Sequence, residues 1–360
     1  MAPEHVFSAP ALTRAVAAVL RAAGSDEHEA STVATSLVEA NLRGHDSHGV
    51  GMIPRYVDAT LLGGLRVNQH ARMTLDAASL VAFDGNRGHG PVLGEEAMRV
   101  AIARARELGS CVMLLANAHH LGRIGQYAEM AVAANLVSLH FVNVLSNPIV
   151  APWGGRDARF GTNPCCIGVP LPDEPPFVLD FATSAVAQGK LRVAHNKGEA
   201  VKDGLLIDDS GRATTDPRYA VVPPFGAIMT FGEHKGYGLA VACELLAGAL
   251  CGGGTEDGVP RTDKRAVNGM LTILIDPARA GSMEGFAQRT RTFLDWLRTS
   301  RAADGFDRVR IAGEPERECR AQRLVDGIAV DATTWAAIGD AAEKVKLPRN
   351  TVETLAAASA

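Results

Sequence analysis

Several patterns that assign a function quickly are missing from this sequence. No segment of the 360 residues reaches the roughly 18 consecutive apolar residues that a membrane helix needs. Residues 1–24 carry charges throughout and lack the unbroken apolar core of a signal peptide. Lysine and arginine total 36 against 40 acidic residues, with no block of one sign, so charge gives no support for nucleic-acid binding. These absences predict a cytoplasmic protein that binds neither a membrane nor a nucleic acid.

The common signatures of metal and hydrolase sites are also absent. The six cysteines contain no CxxC pair and no zinc-finger spacing, so we expect reduced thiols in the core. No HExxH motif completes a zinc site, and no G-x-S-x-G turn presents a nucleophilic serine. The sequence therefore predicts neither a metal centre nor a serine-hydrolase triad.

The pattern of apolar residues changes along the chain. Apolar residues recur at helical spacing in three segments between residues 9 and 62, and Asp26 with Glu29 three residues later has the spacing of a capping box, which predicts a helix start. Between residues 79 and 182, apolar strands alternate with amphipathic helices, which indicates α/β layering. We therefore predict a mainly helical domain from residues 1–75 plus 226–360, and an α/β domain from residues 76–225.

A glycine-rich turn, "DGNRGHGPVLGEE", lies between a predicted strand and a predicted helix. Its Gly88, Gly90 and Gly94 depart from the G-x-G-x-x-G dinucleotide fingerprint, because Leu93 stands where the third glycine or an alanine belongs. The next strand ends at Asn117, which provides no acid for a ribose. A tight structural turn is the better interpretation than a Rossmann site.

Three polar clusters lie at predicted element ends, where ligands collect in open α/β sheets. His119 and His120 follow a strand, and at most one of them is expected to face a site because strand side chains alternate. Thr183 and Ser184 are placed to cap a helix over 184–197, which is either simple capping or an anion site. Lys235 starts a helix, a position that favours an anion nearby.

The stretch "GHDSHGVGMIPRY" places two histidines beside an acid and a hydroxyl just after a helix end. Two histidines alone are too few for a zinc site. Pairing of Asp46 or Ser47 with a histidine would fix its tautomer and tune it for proton transfer. On the residues alone, the cluster is either an acid–base site or a polar connection between helices.

The order of the motifs carries more information than any one of them. "GHDSHGVGMIPRY", "HHLGRIG", "SNPIVAPWGG", "GTNP", "LDFATS", "ATTDP" and "HKGYGLA" together resemble the malate/L-lactate dehydrogenase family, and the resemblance covers nearly the whole chain. It implies an NAD- or NADP-dependent oxidoreductase acting on CH–OH groups, usually a homodimer. It also implies an α/β fold in which a mixed-sheet, non-Rossmann cofactor domain is inserted into a helical domain built from both chain ends.

The family's functional residues carry over position by position. The resemblance implies that His48 is the proton donor to the substrate carbonyl and that His120 is a second acid–base residue, with Ser47 beside the substrate. The positions that the resemblance assigns to the cofactor are Ser146, Asp180, Phe181, Ala182 and Lys235, with Thr162 and Asn163 close by in the motif order.

One position departs from the family pattern. Many members carry an arginine for the substrate carboxylate where this chain has Met52. A desolvated carboxylate needs a cation, so we hypothesise that Arg123 replaces that arginine, with Arg55 as second choice. Met52 also makes that wall more apolar, which favours bulky or aromatic substrates.

The resemblance implies reversible reduction of a small-molecule 2-oxo acid to a 2-hydroxy acid. Alternatives within the class are a malate or L-lactate dehydrogenase and a reductase of cyclic imino acids such as piperideine or pyrroline carboxylates. In the imine case, Asp180 or an unprotonated histidine would handle the iminium ion. A cofactor-binding protein without catalysis is a further alternative, which the intact His48, His120 and Lys235 oppose.

Overall fold

The computed structural model describes residues 4–357, so the outermost residues of the predicted helical domain, 1–3 and 358–360, lie outside the described residues. The strands are β1 (Glu4–Phe7), β2 (Arg72–Ala77), β3 (Leu80–Asp84), β4 (Ser110–His119), β5 (Val137–Leu145), β6 (Cys165–Val169), β7 (Phe177–Phe181), β8 (Leu206–Ile207), β9 (Ala213–Thr214), β10 (Ala227–Ile228), β11 (Val267–Ile275) and β12 (Ile328–Asp331). The helices are α1 (Ala9–Ala22), α2 (Glu27–Leu42), α3 (Ile53–Leu61), α4 (Gly90–Leu108), α5 (Gly125–Ala133), α6 (Gln188–Lys197), α7 (His234–Cys243), α8 (Pro277–Ala280), α9 (Met283–Arg298), α10 (Glu314–Asp326), α11 (Ala332–Lys344) and α12 (Arg349–Ala357). Within residues 4–357, no helix is long and apolar enough to cross a membrane.

A seven-stranded mixed sheet forms the centre of the α/β part. Its strand order is β2-β3-β4-β11-β5-β6-β7, and β3 with β4 is its parallel pair. Strands β4 and β5 both pair antiparallel with β11, and β5 and β7 both pair antiparallel with β6. The carboxyl ends of β3, β4, β5 and β7 therefore point toward one edge. This order confirms the predicted mixed, non-Rossmann sheet.

Helices α4 and α5 pack on the sheet, mostly through alanine side chains. Their residues Ala97, Met98 and Ala128 share one core with Met113 of β4 and Met270 of β11, all without measurable exposure.

The helical layer has a core of its own. It combines α1, α2 and α3 from the N-terminal segment with α11 and α12 from the C-terminal segment. Two chain ends thus supply one helical layer, as predicted.

The start of α2 follows its sequence signal. The Asp26 carboxylate accepts a hydrogen bond from the backbone N–H of Glu29 at 2.8 Å, so Asp26 is the N-cap. Strand β11 has no comparable local signal for its place. It belongs to the segment 226–360, which was predicted as part of the helical domain, and yet it lies in the middle of the sheet. An α/β domain that contains this sheet therefore includes one central strand from that segment. The proposed division into two domains stays a prediction.

The predicted helix over 184–197 begins later than expected. Helix α6 starts at Gln188, and its N-cap Ala187 makes no side-chain cap. The hydroxyl and N–H of Thr183 both donate to the carbonyl of Thr162 at 3.0 Å, and the Ser184 hydroxyl donates to the carbonyl of Val186. These bonds hold the segment extended. Capping by Thr183 or Ser184, and an anion site made by that capping, are therefore wrong.

The glycine-rich turn before α4 is filled by protein. A Cβ at Gly90 would lie 2.3 Å from the carbonyl oxygen of His120 and 2.4 Å from that of His119. The start of α4 thus packs directly on the backbone of the two histidines, in agreement with a tight structural turn.

Candidate active site

His48 lies on a short turn that is fixed from several directions. The Asn41 amide donates to Asp46 Oδ1 at 2.6 Å and accepts from the N–H of Val50 at 2.8 Å. A Cβ at Gly49 would lie 2.1 Å from Asn41 Oδ1, so the glycine after His48 is needed for this close approach. Burial of Asn41 between two backbone segments therefore sets where His48 stands.

The partner of His48 is Ser47, and Asp46 has another role. Ser47 Oγ lies 3.0 Å from His48 Nδ1. Asp46 instead binds Arg323 of α10 through two hydrogen bonds of 2.7 and 3.0 Å. Of the two predicted partners, only the serine contacts the imidazole.

His48 and His120 form a histidine pair. Their rings stack with centroids 5.5 Å apart and planes 17° apart. His120 Nδ1 lies 2.7 Å from the hydroxyl of Tyr56, a buried residue of α3. Since Nδ1 of each ring has a partner, and Nε2 has none among residues 4–357, the two Nε2 atoms are free for a ligand.

The neighbouring His119 points the other way. It is completely buried, and its Nε2 accepts from the N–H of Ala266 at 3.3 Å. The expected alternation along the strand therefore holds, and of the two adjacent histidines only His120 contacts His48.

Burial keeps the histidine pair uncharged. It lowers the pKa of His48 to about 4, helped by the nearby charges of His45 and Arg123. It also lowers the pKa of His120 well below its ordinary value and raises that of Tyr56. At neutral pH both imidazoles can accept a proton. They hold one only when a bound anion offsets the cost of burying the charge.

Two arginines near this pair differ in their partners. Arg55 of α3 is half-buried, and its only described hydrogen bond is a long one, 3.5 Å, to the carbonyl of Arg265. Arg123 is 4% exposed and binds Glu129 at 2.5 Å. Arg55 has no carboxylate partner among the described residues, whereas Arg123 already has one.

Arg123 belongs to a larger set of paired charges that we call the arginine–carboxylate network. Its members are Glu39, Arg43, Arg123, Glu129 and Arg320, linked by contacts of 2.5 to 3.6 Å. All its members except Glu39 line a cavity of about 540 Å³, together with Asp180 and Arg317. The cavity therefore offers several cations beside one of the cofactor candidates.

Asp180 sits at the end of β7, against the start of α5. Its Oδ2 accepts from the N–H of Gly125 at 2.7 Å. Burial raises the pKa of the Asp180 carboxyl, and the charge of Arg123 opposes that rise. A carboxylate at this position is thus partly buried but held by a backbone donor and a cation.

Phe181 and Ala182 lie in a segment that contacts the segment leading into Lys235. The Phe181 ring lies 5.8 Å from that of Phe231, whose N–H donates to the carbonyl of Thr183. Lys235 is exposed in the first turn of α7, and its side chain has no hydrogen-bond or ion-pair partner in the described part of the chain. The two segments that the sequence separates by some fifty positions are joined here by direct contacts.

Ser146 lies at the same sheet edge as the histidine pair. Val267 of β11 is in register with both His119 of β4 and Leu145 of β5. Ser146 therefore follows β5 where His120 follows β4. The residue is half-exposed, and its hydroxyl donates to the carbonyl of Asn147 at 3.3 Å.

Asn163 is placed differently from the other cofactor candidates. It is fully buried, and its amide bonds the N–H of Val144, the carbonyl of Ala240 and the carboxylate of Glu244. These contacts leave no group of Asn163 for a cofactor. Thr162, next to it, has a half-buried side chain and uses its carbonyl to bind Thr183.

Met52 is half-buried and packs against the core of the helical layer. Its side chain is therefore at least partly occupied by core packing, which weakens its use as a wall of a substrate pocket.

Tyr56 is the contact that sequence reasoning missed. It closes the stretch "GHDSHGVGMIPRY", and three imidazoles lie around its ring, those of His89, His119 and His120, with centroids 5.5 to 6.0 Å away. The sequence did contain a signal: Tyr56 lies three residues after Ile53 in the predicted helix, so both side chains share the helix face that packs into the core.

Comparisons with known proteins find similar chains over nearly the whole length of this one. A family profile described as "Malate/L-lactate dehydrogenase" matches residues 7–339. The chain is 45% identical to hydroxycarboxylate dehydrogenase B of Escherichia coli (strain K12), over 97% of each chain. It is 41% identical to an L-lactate dehydrogenase of Cupriavidus necator, over 85% of this chain and 88% of that protein. A solved E. coli structure, that of "a putative malate/lactate dehydrogenase", superposes with a TM-score of 0.93 at 44% identity, over 98% of each chain.

Proposed function

The chain belongs to the malate/L-lactate dehydrogenase family and is an oxidoreductase acting on CH–OH groups, and we propose that it interconverts 2-oxo acids and 2-hydroxy acids. The observation that carries this proposal is the stacked histidine pair, with both Nε2 atoms free and both rings uncharged in the ligand-free protein. Such a pair suits proton exchange with a carbonyl or hydroxyl oxygen.

Dehydrogenases of this family use nicotinamide cofactors, and this chain's residues fit one. Lys235 is an exposed, unpartnered cation suited to a phosphate, Phe181 and Phe231 present aromatic faces, and Asp180 offers a carboxylate. We propose that these residues, with Ala182 and Ser146, hold NAD or NADP. When bound, a reduced nicotinamide supplies the hydride that adds to the carbonyl carbon.

The protein's own residues handle the proton and the charge. We propose that His48 Nε2 gives a proton to the carbonyl oxygen as the oxo acid becomes a hydroxy acid, and takes it back in the reverse direction. Ser47 would fix the ring through Nδ1, and Tyr56 would position His120 beside it. An anionic substrate next to the pair raises the imidazole pKa, so the proton donor is charged only when substrate is bound.

The described contacts favour Arg55 over Arg123 for the substrate carboxylate. The charge of Arg123 is offset by Glu129, and a second carboxylate would have to compete with it. Arg55 is a neighbour of Tyr56 in α3 and has no acid beside it in residues 4–357. An unpaired, half-buried guanidinium is costly unless a ligand brings the opposite charge.

We further propose a cytoplasmic homodimer, as the family resemblance implies. Exposed apolar side chains on α10, Leu324 at 52% and Val325 at 85%, offer surface for a second copy. Light scattering coupled to size exclusion should give twice the chain mass, and a monomer at micromolar concentration would contradict this.

The function is tested by following the absorbance of reduced nicotinamide with a panel of substrates. The panel pairs NADH and NADPH in turn with small, aromatic and dicarboxylic 2-oxo acids and with a cyclic imine. We expect consumption with at least one oxo acid, and formation of reduced cofactor with the matching hydroxy acid. Turnover of the imine alone would replace oxo acids by imino acids as substrate, and no turnover with any pair would overturn the proposal.

A further inference from the structure

The mixed sheet has a second face, opposite to the one on which α4 and α5 pack. Six residues lie side by side across it, one from each of β3, β4, β11, β5, β6 and β7, and we call them the apolar row. They are Leu80, Val112, Ile273, Leu139, Ile167 and Leu179, each in register with the next. Since side chains alternate along a strand, all six point to this second face.

The two faces of the sheet differ in how well they are covered. The neighbouring row points to the helices α4 and α5, and each of the following members is at most 1% exposed: Val81, Met113, Thr272, His140 and Cys166. The apolar row is only half-buried at all six of its positions. One face is therefore packed under helices, whereas apolar side chains of the other face stay partly open to solvent.

The positions that flank the apolar row carry no charge either. On the central strands they are Leu114, Leu271 and Phe141 on one side, and Ile275 and Val137 on the other. With strands about 4.8 Å apart and rows about 6.7 Å apart, three rows across six strands have a footprint of roughly 600 Å². An open apolar surface of this size on a single chain marks an interaction site.

A helical segment that continues α7, Glu244–Leu250, covers the end of the second face next to the candidate active site. A Cβ at Gly269 would clash with the carbonyl oxygen of Ala247, so this segment rests directly on β11 there. Its Leu245 and Leu250 are each 58% exposed. They add apolar surface on the same side of the sheet, which brings the footprint closer to the roughly 800 Å² per partner that stable complexes bury.

Resting on the proposed homodimer, we infer that the apolar row is the surface through which two copies of this chain bind, sheet against sheet. A two-fold dimer uses the same patch on both copies, so the patch must complement itself. The apolar row does so, because each copy covers apolar side chains with apolar ones and no charge is left unpaired. The exposed pair Leu324 and Val325 on α10 is smaller and has a charged neighbour on each side.

The test places a charge in the middle of the row and measures the dimer by sedimentation velocity. We expect the wild type to be a dimer at micromolar concentration. Leu139→Glu should raise the dissociation constant of the dimer at least about 100-fold, because two carboxylates would be buried in one apolar interface. Val325→Glu is the matched control: the same charge on α10, at a side chain that is 85% exposed, should leave the dimer intact.

A second variant separates a lost interface from a lost fold. Leu139→Lys should also be monomeric, and an equimolar mixture with Leu139→Glu should dimerise again in part, since opposite charges then meet across the interface. Circular dichroism and thermal unfolding of each variant alone check that the monomers are folded.

Three results would overturn the inference while the homodimer stands: an unchanged dimer in Leu139→Glu, dissociation of Val325→Glu alone, or folded Leu139 variants that stay monomeric when mixed. A monomeric wild type would overturn the homodimer and the inference together. Neither result bears on oxo-acid reduction, which the assay with reduced nicotinamide tests separately.

Discussion

Two polar clusters lie close together at one edge of the sheet, and they differ in how their charges are balanced. In the arginine–carboxylate network, Arg123 is 4% exposed and bound to Glu129 at 2.5 Å. In the histidine pair, both rings are kept neutral by burial, and the nearby Arg55 has no acid among the described residues. The first cluster is complete without a ligand, whereas the second becomes complete when an anion binds. We infer that the first stabilises the fold and the second performs chemistry.

The largest expected effect separates chemistry from stability in the histidine pair. In His48→Gln we expect kcat to fall by about 10²–10⁴, because general acid–base catalysis contributes that much. At neutral pH the thermal unfolding midpoint should stay near that of the wild type, because the uncharged ring has one described side-chain hydrogen bond, with Ser47, and no ion pair to lose. His28→Gln, an exposed histidine of α2, is the control and should keep full activity. If His48→Gln keeps its rate and His120→Gln loses it, the proton donor is His120.

The reverse outcome is expected in the arginine–carboxylate network. Glu129→Gln leaves the buried Arg123 without its partner, which costs roughly 3 kcal/mol for a buried pair and should lower the unfolding midpoint by several degrees. Glu95→Gln, which breaks the exposed pair with Arg99, should cost about 0.5 kcal/mol or less. Similar shifts in the two variants, measured by thermal or urea unfolding, would mean that Arg123 does not depend on Glu129.

A third pair of variants compares the two arginines directly. In Arg55→Met we expect KM for a 2-oxo acid to rise roughly 10–100-fold, since a charge-assisted bond to the carboxylate is lost. In Arg123→Met we expect mainly a lower unfolding midpoint, because Glu129 loses its buried cation. Steady-state kinetics and unfolding on both variants decide between them. A sharp rise of KM in Arg123→Met, with Arg55→Met near the wild type, would mean that Arg123 binds the substrate carboxylate.

The smallest expected effect is a pH dependence of stability. The pKa of His48 is about 4 in the folded protein, below the ordinary value of 6.5 that an unfolded chain has. Between these values the unfolded state binds more protons, so the free energy of unfolding falls as the pH drops from 6.5 toward 4. Between pH 7 and 5.5, the free energy of unfolding of His48→Gln should therefore fall by roughly 1 kcal/mol less than that of the wild type. Urea unfolding midpoints of both proteins at the two pH values measure this difference. An equal fall in the two proteins would contradict a neutral His48 in the folded state.

Much of the local structure could be read from the sequence. Asp26 caps α2 as its spacing with Glu29 indicates, and the strands and helices predicted between residues 79 and 182 match β3, β4, β5 and β7 with α4 and α5, whereas β6 was not predicted. Both features depend on neighbours along the chain. The cap predicted at Thr183 was wrong because its bonds to the carbonyl of Thr162, 21 residues away, hold this segment extended, and α6 begins only at Gln188.

The candidate site divides in the same way. The residue types of His48 and His120 at element ends pointed to proton chemistry, and the structure stacks those two rings. That Ser47 and not Asp46 contacts His48 could not be read, because Arg323, 277 residues away, takes the carboxylate. The contact of Tyr56 with His120 joins residues 64 positions apart and was missed for the same reason.

By itself the sequence determined helices α1 to α5, strands β3, β4, β5 and β7, the absence of a dinucleotide fingerprint and the order of motifs that places the chain in its family. Only the tertiary structure decided that β11 separates β4 from β5, and which arginine lacks a partner. Helix caps and strand patterns depend on residues within a few positions of one another. The balance of charge around Arg55 depends on every segment that folds against it, and the spacing of residues along the chain does not contain that information.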